Sequence, residues 1–163
     1  MDLQLDGRTA FVTGASSGIG RATAIAFGAE GARVAVGYHS NKSGALHTVT
    51  TIESAGGTAV PVQLDLGDEQ SIDAAVREIT ERWSSVDVLV NNAVEWPGFP
   101  AAGESFETSP IGRMHRSLQA NVEGPYLLSR AVVAGMRHRG WGRIVHVSTG
   151  LVKDGMAGSS ARS

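Results

Sequence analysis

Five short apolar runs alternate with longer amphipathic segments along most of the chain, and this alternation limits its possible folds more than any other feature. The runs are TAFVT (9–13), RVAVG (33–37), TAVPVQL (58–64), VDVLV (86–90) and RIVHVS (143–148). Most are apolar at nearly every position, which is typical of strands buried on both faces of a parallel sheet. Proline cannot donate a hydrogen bond within a sheet, so Pro61 predicts that the third run is an edge strand.

The segments between the runs have the spacing of helices. We expect one helix from Ile19 to a stop at Gly31, a second over 42–55, and a third after an N-cap at Asp68. A long helix is predicted over 111–138, with a bend at Gly124-Pro125, after a Pro- and Gly-rich loop over 95–110. Its apolar stripe comprises Met114, Leu118, Val122, Tyr126, Val133 and Met136. This order of elements implies right-handed βαβ units and an open, doubly wound α/β sheet.

Composition narrows the class of protein further. At 163 residues, with 42% hydrophobic residues, the chain is expected to form one domain, 1–163. A net charge of -2 gives no basic surface for nucleic acid or membrane, and the absence of cysteine removes disulfides and thiolate metal sites. The opening MDLQLDGR is unlike a signal peptide, and no run has the apolar length of a membrane span. We therefore expect a cytoplasmic protein without a metal site.

A glycine-rich loop, TGASSGIG, lies between the first predicted strand and the first helix. Gly14, Gly18 and Gly20 have the spacing that gives a tight turn and close backbone approach to a dinucleotide pyrophosphate, at a helix N-terminus. Two alternatives are open. The segment Gly14–Gly18 also matches G-x-S-x-G, the nucleophile elbow of hydrolases, and a glycine turn can exist without any ligand.

Four motifs in order resemble the short-chain dehydrogenase/reductase family: this loop, NNA at Asn91–Ala93, QANVEGPYLLSRA, and GRIVHVST. The resemblance implies a Rossmann fold with strand order 3-2-1-4-5, an NAD or NADP cofactor, and a small-molecule carbonyl or acyl substrate. Within the family, the chain resembles reductases similar to 3-oxoacyl-carrier-protein reductase. Family members also form homo-oligomers, in which the long helix contributes to the dimer interface.

The end of the second predicted strand bears on the choice of dinucleotide. The segment VAVGYHSNKSG has no acidic residue for the ribose hydroxyls of NAD, and Ser40, Asn41 and Lys42 offer donors that favour NADP. Lys42 can equally be a solvated charge in the first turn of a helix. Asp65 matches the family position that contacts adenine, although a turn residue would serve as well there. The predicted cofactor-binding residues are Thr13, Gly14, Ser16, Ser17, Gly18, Ile19, Gly20, Tyr38, Ser40, Asn41, Lys42, Asp65, Leu66, Asn91, Asn92 and Ala93.

The catalytic residues are implied by the resemblance. The family uses a Tyr as proton donor, a Lys, a Ser that binds the carbonyl, and an Asn that holds a water, and Asn121 matches the last of these. Ser148 and Thr149 are both candidates for the hydroxyl, with Thr149 at the family position when counted from GRI. Both hydroxyls can also simply end a strand. Val94 stands where the family usually has glycine.

The family's catalytic Tyr-x-x-x-Lys motif does not follow GRIVHVST within the 163 residues, and the tyrosines present, Tyr38 and Tyr126, lie on other predicted elements. Arg162 occupies the place of the tyrosine, and arginine stays protonated, so it cannot act as the proton donor. We therefore expect a C-terminally truncated and inactive chain that lacks the family's last helices and strands, and whose oligomerisation and stability suffer. The alternatives are a dinucleotide-binding module without chemistry, or the non-functional product of a frameshift or early stop.

Overall fold

A parallel β-sheet forms the centre of the molecule in the computed structural model, which describes residues 3–96, 98 and 104–149. Its strands are β1 (Thr9–Val12), β2 (Arg33–Tyr38), β3 (Thr58–Gln63), β4 (Val88–Asn91) and β5 (Arg143–His146). The order across the sheet is β3-β2-β1-β4-β5, and every pairing is parallel. The predicted doubly wound fold and strand order are confirmed.

Pro61 lies in β3, at one edge of this sheet. It is paired in register with Val36 of β2, and β3 has no other partner strand in the part of the chain that the structure describes. An edge strand needs hydrogen bonds on one side only, so a residue without an N–H is tolerated there. The prediction from Pro61 is confirmed.

Helices connect the strands. They are α1 (Gly18–Ala29), α2 (Lys42–Ser54), α3 (Glu69–Trp83), α4 (Ile111–Leu118) and α5 (Gly124–His138). The predicted N-cap of α3 is present, because the Asp68 carboxylate accepts a hydrogen bond from the Gln70 N–H at 2.9 Å. Gly31, at a φ of 80°, follows α1 in the left-handed conformation that ends many helices.

Two hydrophobic clusters cover the two faces of the sheet. One joins the sheet to α1 and α2 through residues such as Val12, Val36 and Ile52. The other joins it to α3 and α5 through residues such as Phe11, Leu89 and Leu128. Because neighbouring side chains of a strand point to opposite faces, strands covered on both faces are apolar at nearly every position, as the sequence is here.

A π-helical turn, Gln119–Glu123, separates α4 from α5; we call it the π turn. The Gly124 N–H bonds to the Gln119 carbonyl, five residues back. Pro125 has no N–H for the Asn121 carbonyl, so regular α-helical bonding cannot continue through this point. The predicted long helix over 111–138 is thus present, with this π turn immediately before the Gly124-Pro125 pair.

The apolar stripe predicted on that helix is mostly not the face that packs against the sheet. Its members Met114, Leu118, Val122, Tyr126 and Val133 are exposed, and only Met136 is buried. The residues of α5 that face the core are Leu128, Val132 and Met136. Helical periodicity identified an apolar face correctly, but periodicity alone does not tell which of two apolar faces meets the sheet.

Two predictions fall wholly or partly outside the described residues. The predicted loop over 95–110 includes residues 97 and 99–103, and the final segment with Arg162 lies within 150–163. At the other edge of the sheet, β5 pairs with β4, and Val145 and Val147 are exposed within the described chain. No helix among the described residues is long and apolar enough to cross a membrane.

Candidate functional site

A cleft of about 1000 Å³ lies at the carboxyl ends of the strands. The loops after β1, β3 and β4, the end of β2 and the π turn all contribute to its lining. In the strand order β3-β2-β1-β4-β5, chain connections leave β1 and β4 in opposite directions, so the cleft lies at the switch point of the sheet. Open α/β sheets bind their ligands at this position.

The glycine loop forms one wall of the cleft, and close contacts require glycine at two of its positions, Gly14 and Gly20. Gly14 has a φ of 65°, and a Cβ there would lie 3.0 Å from the Ala93 Cα. A Cβ on Gly20 would lie 2.5 Å from the Asn92 amide nitrogen. Gly18, at a φ of 54°, has open space where its Cβ would be. The loop therefore packs tightly against the segment after β4 and leaves backbone exposed at the start of α1, as a pyrophosphate site requires.

Thr13 links the glycine loop to the segment after β4 from below the cleft. Its buried hydroxyl donates to the Val90 carbonyl at 3.3 Å and accepts hydrogen bonds from the N–H groups of Asn92 and Ala93, at 3.0 and 2.9 Å. The Asn92 side chain donates in turn to the Thr13 carbonyl at 3.0 Å. Thr13 does not line the cleft, so any effect it has on a ligand passes through the loops that it fixes.

The end of β2 supplies the next part of the lining. Tyr38, Ser40 and Asn41 line the cleft there, whereas Lys42 does not. The Asn41 side-chain oxygen caps α2 by accepting the Gly44 N–H at 3.0 Å. The segment Arg33–Lys42 contains no carboxylate, and the carboxylates among the lining residues are Asp65 and Glu95.

Asp65 organises the turn between β3 and α3. One carboxylate oxygen accepts the Gly67 N–H at 2.8 Å, and the other lies 3.5 Å from Nε2 of His39. Leu66, beside it, meets the π turn region so closely that a Cβ on Gly124 would lie 2.7 Å from the Leu66 Cβ. Asp65 and Leu66 both line the cleft.

Asn91 lies below the cleft rather than in its lining. Its side-chain nitrogen lies 3.3 Å from the Ser129 hydroxyl and 3.4 Å from Nδ1 of His146, the residue paired with it in β5. Its side-chain oxygen is buried without a hydrogen-bond partner among the described residues. Asn91 therefore links β4, β5 and α5, and its amide is directed away from the cleft.

Asn121 lies in the π turn, and its side chain holds the loop after β4. The amide oxygen accepts the Glu95 N–H at 2.7 Å, and the amide nitrogen donates to the Glu95 carbonyl at 3.0 Å and lies 3.2 Å from the Ser117 hydroxyl. Ser148 and Thr149 follow β5, are exposed, and do not line the cleft. None of the three predicted catalytic residues lines the cleft: Asn121 holds the backbone of Glu95, which does line it, and the two hydroxyl candidates lie beyond it.

Thirteen of the sixteen residues predicted to bind a cofactor line one cleft; Thr13, Lys42 and Asn91 do not. The cleft also contains Val94, which stands where the family usually has glycine, and residues that the sequence did not single out: His39, Leu64, Gly67, Glu95, Trp96, Arg116, Gln119 and Ala120. Most of these residues are adjacent in sequence to predicted ones. Arg116, Gln119 and Ala120 belong to the long helix, and only the path of that helix in the fold shows that they reach the cleft. No group of three or more metal-ligating side chains occurs within the described residues.

The residues present fit a dinucleotide. The observation that carries this is steric: the backbone at Gly14 and Gly20 comes so close to its neighbours that side chains are excluded, beside a helix N-terminus at the open part of the cleft. The cleft is also large enough for a ligand with two nucleoside halves.

The sheet order and the position of the cleft define a Rossmann-like α/β protein. The sequence model of the family described as short chain dehydrogenase matches residues 8–163, and the chain belongs to this family of oxidoreductases. Members of the family bind NAD or NADP and act on small-molecule substrates.

Similar proteins agree on the fold and differ in cofactor. Glucose 1-dehydrogenase 2 of Bacillus subtilis is 36% identical over 146 residues, which cover 89% of this chain and 55% of that protein. A 7α-hydroxysteroid dehydrogenase, solved with NADH and 7-oxo glycochenodeoxycholic acid, superposes with a TM-score of 0.90 and 31% identity. That match covers 99% of this chain and 60% of the solved one. A metagenomic short-chain oxidoreductase in complex with NADP has a TM-score of 0.87 and 33% identity, covering 96% and 69%. The chain thus spans little more than half the length of the curated relative.

Proposed function

We propose that residues 1–163 form a single dinucleotide-binding domain of an NADPH-dependent carbonyl reductase. The observation that carries the proposal is the glycine loop, whose backbone borders the switch-point cleft at the N-terminus of α1. A reductase similar to 3-oxoacyl-carrier-protein reductase, with a ketone or 3-oxoacyl substrate, is the specific form we favour, and the cytoplasm is the location that the composition favours.

The preference for NADPH over NADH rests on charge at the end of β2. NAD-binding sites place a carboxylate there, which accepts the ribose hydroxyls and repels a 2′-phosphate. Here Ser40 and Asn41 line the cleft, and one oxygen of Asp65, a lining carboxylate in the turn after β3, accepts the Gly67 N–H. A 2′-phosphate at the end of β2 would therefore meet the donors of Ser40 and Asn41, in a segment that contains no carboxylate.

The residues of the chain have distinct tasks in this proposal. The backbone from Gly14 to Gly20 would hold the pyrophosphate, and Asp65 and Leu66 would border the adenine. Asn121 fixes the Glu95 backbone, and so keeps the loop after β4 at the edge of the cleft. Thr149 or Ser148 would bind the substrate carbonyl. A reduced nicotinamide, when bound, supplies the hydride for carbonyl reduction.

We further propose that the 163-residue polypeptide binds the dinucleotide but does not reduce a carbonyl by itself. Its tyrosines are Tyr38, which lines the cleft at the end of β2, and Tyr126, which is exposed on α5. Tyr126 is followed by Arg130 at the fourth position. Tyr38 is followed there by Lys42, but Tyr38 ends β2 while Lys42 begins α2 outside the cleft lining. Neither tyrosine therefore supplies a Tyr-x-x-x-Lys pair on one helical face. The absence of this pair from the 163 residues equally supports the second candidate, a binding module without chemistry.

Fluorescence titration tests the cofactor preference. We expect NADPH to bind the 163-residue polypeptide at least about tenfold more tightly than NADH, the factor that one charge-assisted hydrogen bond provides. Equal or reversed affinities would contradict the NADPH preference. In the same samples, oxidation of NADPH by a 3-oxoacyl thioester should stay at the uncatalysed rate, and turnover would overturn the proposal that this polypeptide is inactive alone.

A further inference from the structure

Arg21 belongs to the first turn of α1, where it lies half-buried next to the glycine loop and outside the cleft lining. Its guanidinium donates a hydrogen bond to the Ser16 carbonyl in that loop and lies 3.5 Å from the Gly44 carbonyl in the first turn of α2. Its Nε atom donates to the Thr48 hydroxyl, one turn further along α2, at 3.1 Å. One side chain thus joins the glycine loop to the helix that follows β2.

The positive charge of Arg21 has only neutral oxygens around it. Within the part of the chain that the structure describes, Arg21 forms no ion pair with a carboxylate. A guanidinium stays protonated in proteins, and a positive charge that is partly withdrawn from water is normally paired with an anion. The charge of Arg21 is therefore available to an anion held by the glycine loop, although the side chain itself does not line the cleft.

Two peptide groups of the glycine loop have their direction fixed by these contacts. Arg21 binds the Ser16 carbonyl, and the Thr48 hydroxyl lies within donating distance of the Ala15 carbonyl, at 2.9 Å. The peptide bonds are trans, so the N–H that follows each carbonyl points the opposite way. The N–H groups of Ser16 and Ser17 are therefore directed away from α2, and neither has a hydrogen-bond acceptor among the described residues. Both residues line the cleft.

We propose that Arg21 is a positioning residue for the pyrophosphate of the dinucleotide. It holds the Ser16 carbonyl on the side of α2, so that the Ser17 N–H faces the phosphates, and its charge adds to the positive N-terminal end of α1. The proposal rests on the dinucleotide site described under Proposed function. Because NADPH and NADH share the pyrophosphate, Arg21 should affect both alike and take no part in the choice between them.

The packing of α2 against the glycine loop does not depend on the guanidinium. A Cβ on Gly44 would lie 2.5 Å from the Ser16 carbonyl oxygen, so the two backbones are in direct contact, and Thr48 is fully buried. The Asn41 side chain caps α2 independently of Arg21. A variant without the guanidinium should therefore keep the fold, while the glycine loop loses the donor that orients it.

Dissociation constants for NADPH, NADH and adenosine 2′-monophosphate, measured by titration calorimetry in matched variants, test the role of Arg21. Arg21→Met, which keeps an unbranched side chain without a donor, should weaken NADPH and NADH by the same factor of about ten, the effect of one charge-assisted hydrogen bond. Adenosine 2′-monophosphate has no pyrophosphate, so its affinity should be the same for every variant. Arg77→Met removes the same charge from an exposed position of α3 outside the cleft, and should change nothing.

Arg21→Lys is the conservative variant. It keeps the charge and a donor, but not the planar fork that reaches Ser16 and Thr48 together. Its affinity for both dinucleotides should therefore lie between those of wild type and Arg21→Met. Should urea denaturation show that Arg21→Met does not fold, Arg21→Lys decides the question, because it should still weaken both dinucleotides and spare adenosine 2′-monophosphate.

Two results would contradict different parts of the account. Wild-type protein that binds neither dinucleotide would overturn the proposed function itself. Wild-type protein that binds a dinucleotide, together with folded Arg21 variants that leave NADPH and NADH unchanged, or that weaken adenosine 2′-monophosphate by the same factor, would overturn the role of Arg21 alone.

Discussion

At the scale of single residues, the hydroxyl of Thr13 shows how the cleft is held in shape. The hydroxyl donates to the Val90 carbonyl and accepts hydrogen bonds from the N–H groups of Asn92 and Ala93, and the Asn92 side-chain amide donates to the Thr13 carbonyl. Thr13 is fully buried, so water cannot replace these partners if the hydroxyl is lost. The geometry of the glycine loop and of the loop after β4 thus depends on one small side chain.

Thr13→Val, which keeps the shape and removes the hydroxyl, should lower the free energy of unfolding by about 1–3 kcal/mol, the cost of unpaired buried N–H groups. Thr13→Ser keeps the oxygen and should cost less. Urea denaturation of both variants measures the difference. A Thr13→Val protein as stable as wild type would show that these hydrogen bonds do not hold the loops.

Residue types and motifs picked out most of the residues that line the cleft, but not the direction in which every side chain points. Gly14, Gly18 and Gly20 could be recognised from the sequence because the spacing of glycines between a strand and a helix is a local pattern. Thr13 and Asn91 were assigned to the ligand, whereas their polar atoms meet partners 38 to 80 residues away in sequence. His39 was passed over because an isolated histidine has no pattern around it, and its neighbour Asp65 becomes visible only in the fold.

At the scale of elements, α5 carries two apolar faces with different surroundings. Val132 is 4% exposed and packs in the cluster below the sheet, while the next residue, Val133, is 39% exposed. Burial rather than residue type determines what each side chain contributes to stability. Sequence periodicity found the helix and its length, but the π turn before Gly124 and the choice of core face depend on packing against the rest of the fold.

The two adjacent valines provide a matched pair. Val132→Ala should destabilise the protein by about 2 kcal/mol through lost burial and a residual cavity. Val133→Ala should stay within about 0.5 kcal/mol of wild type, as is usual for exposed positions. Thermal or urea unfolding of the two variants, measured side by side, checks the assignment. Equal losses would mean that the face of α5 bearing Val133 is buried as well.

At the scale of the whole molecule, the alternation of apolar runs and helical segments was enough to predict the sheet. Parallel strands covered on both faces leave a distinctive run of apolar residues, and right-handed crossovers restrict how such strands can be ordered. The strand order then puts the loops after β1, β3 and β4 around one cleft. The central claim is that a dinucleotide binds in this cleft, along the glycine loop.

Amide chemical-shift mapping by NMR tests that claim most directly. On addition of NADPH to the 163-residue polypeptide, we expect the largest shifts at the backbone amides of Gly14, Gly18, Gly20 and Ala93. The amide of Gly140, which precedes β5 at the opposite end of the sheet, should not move. Saturable shifts confined to residues outside the cleft, or no shifts at ligand concentrations up to the millimolar range, would contradict the account.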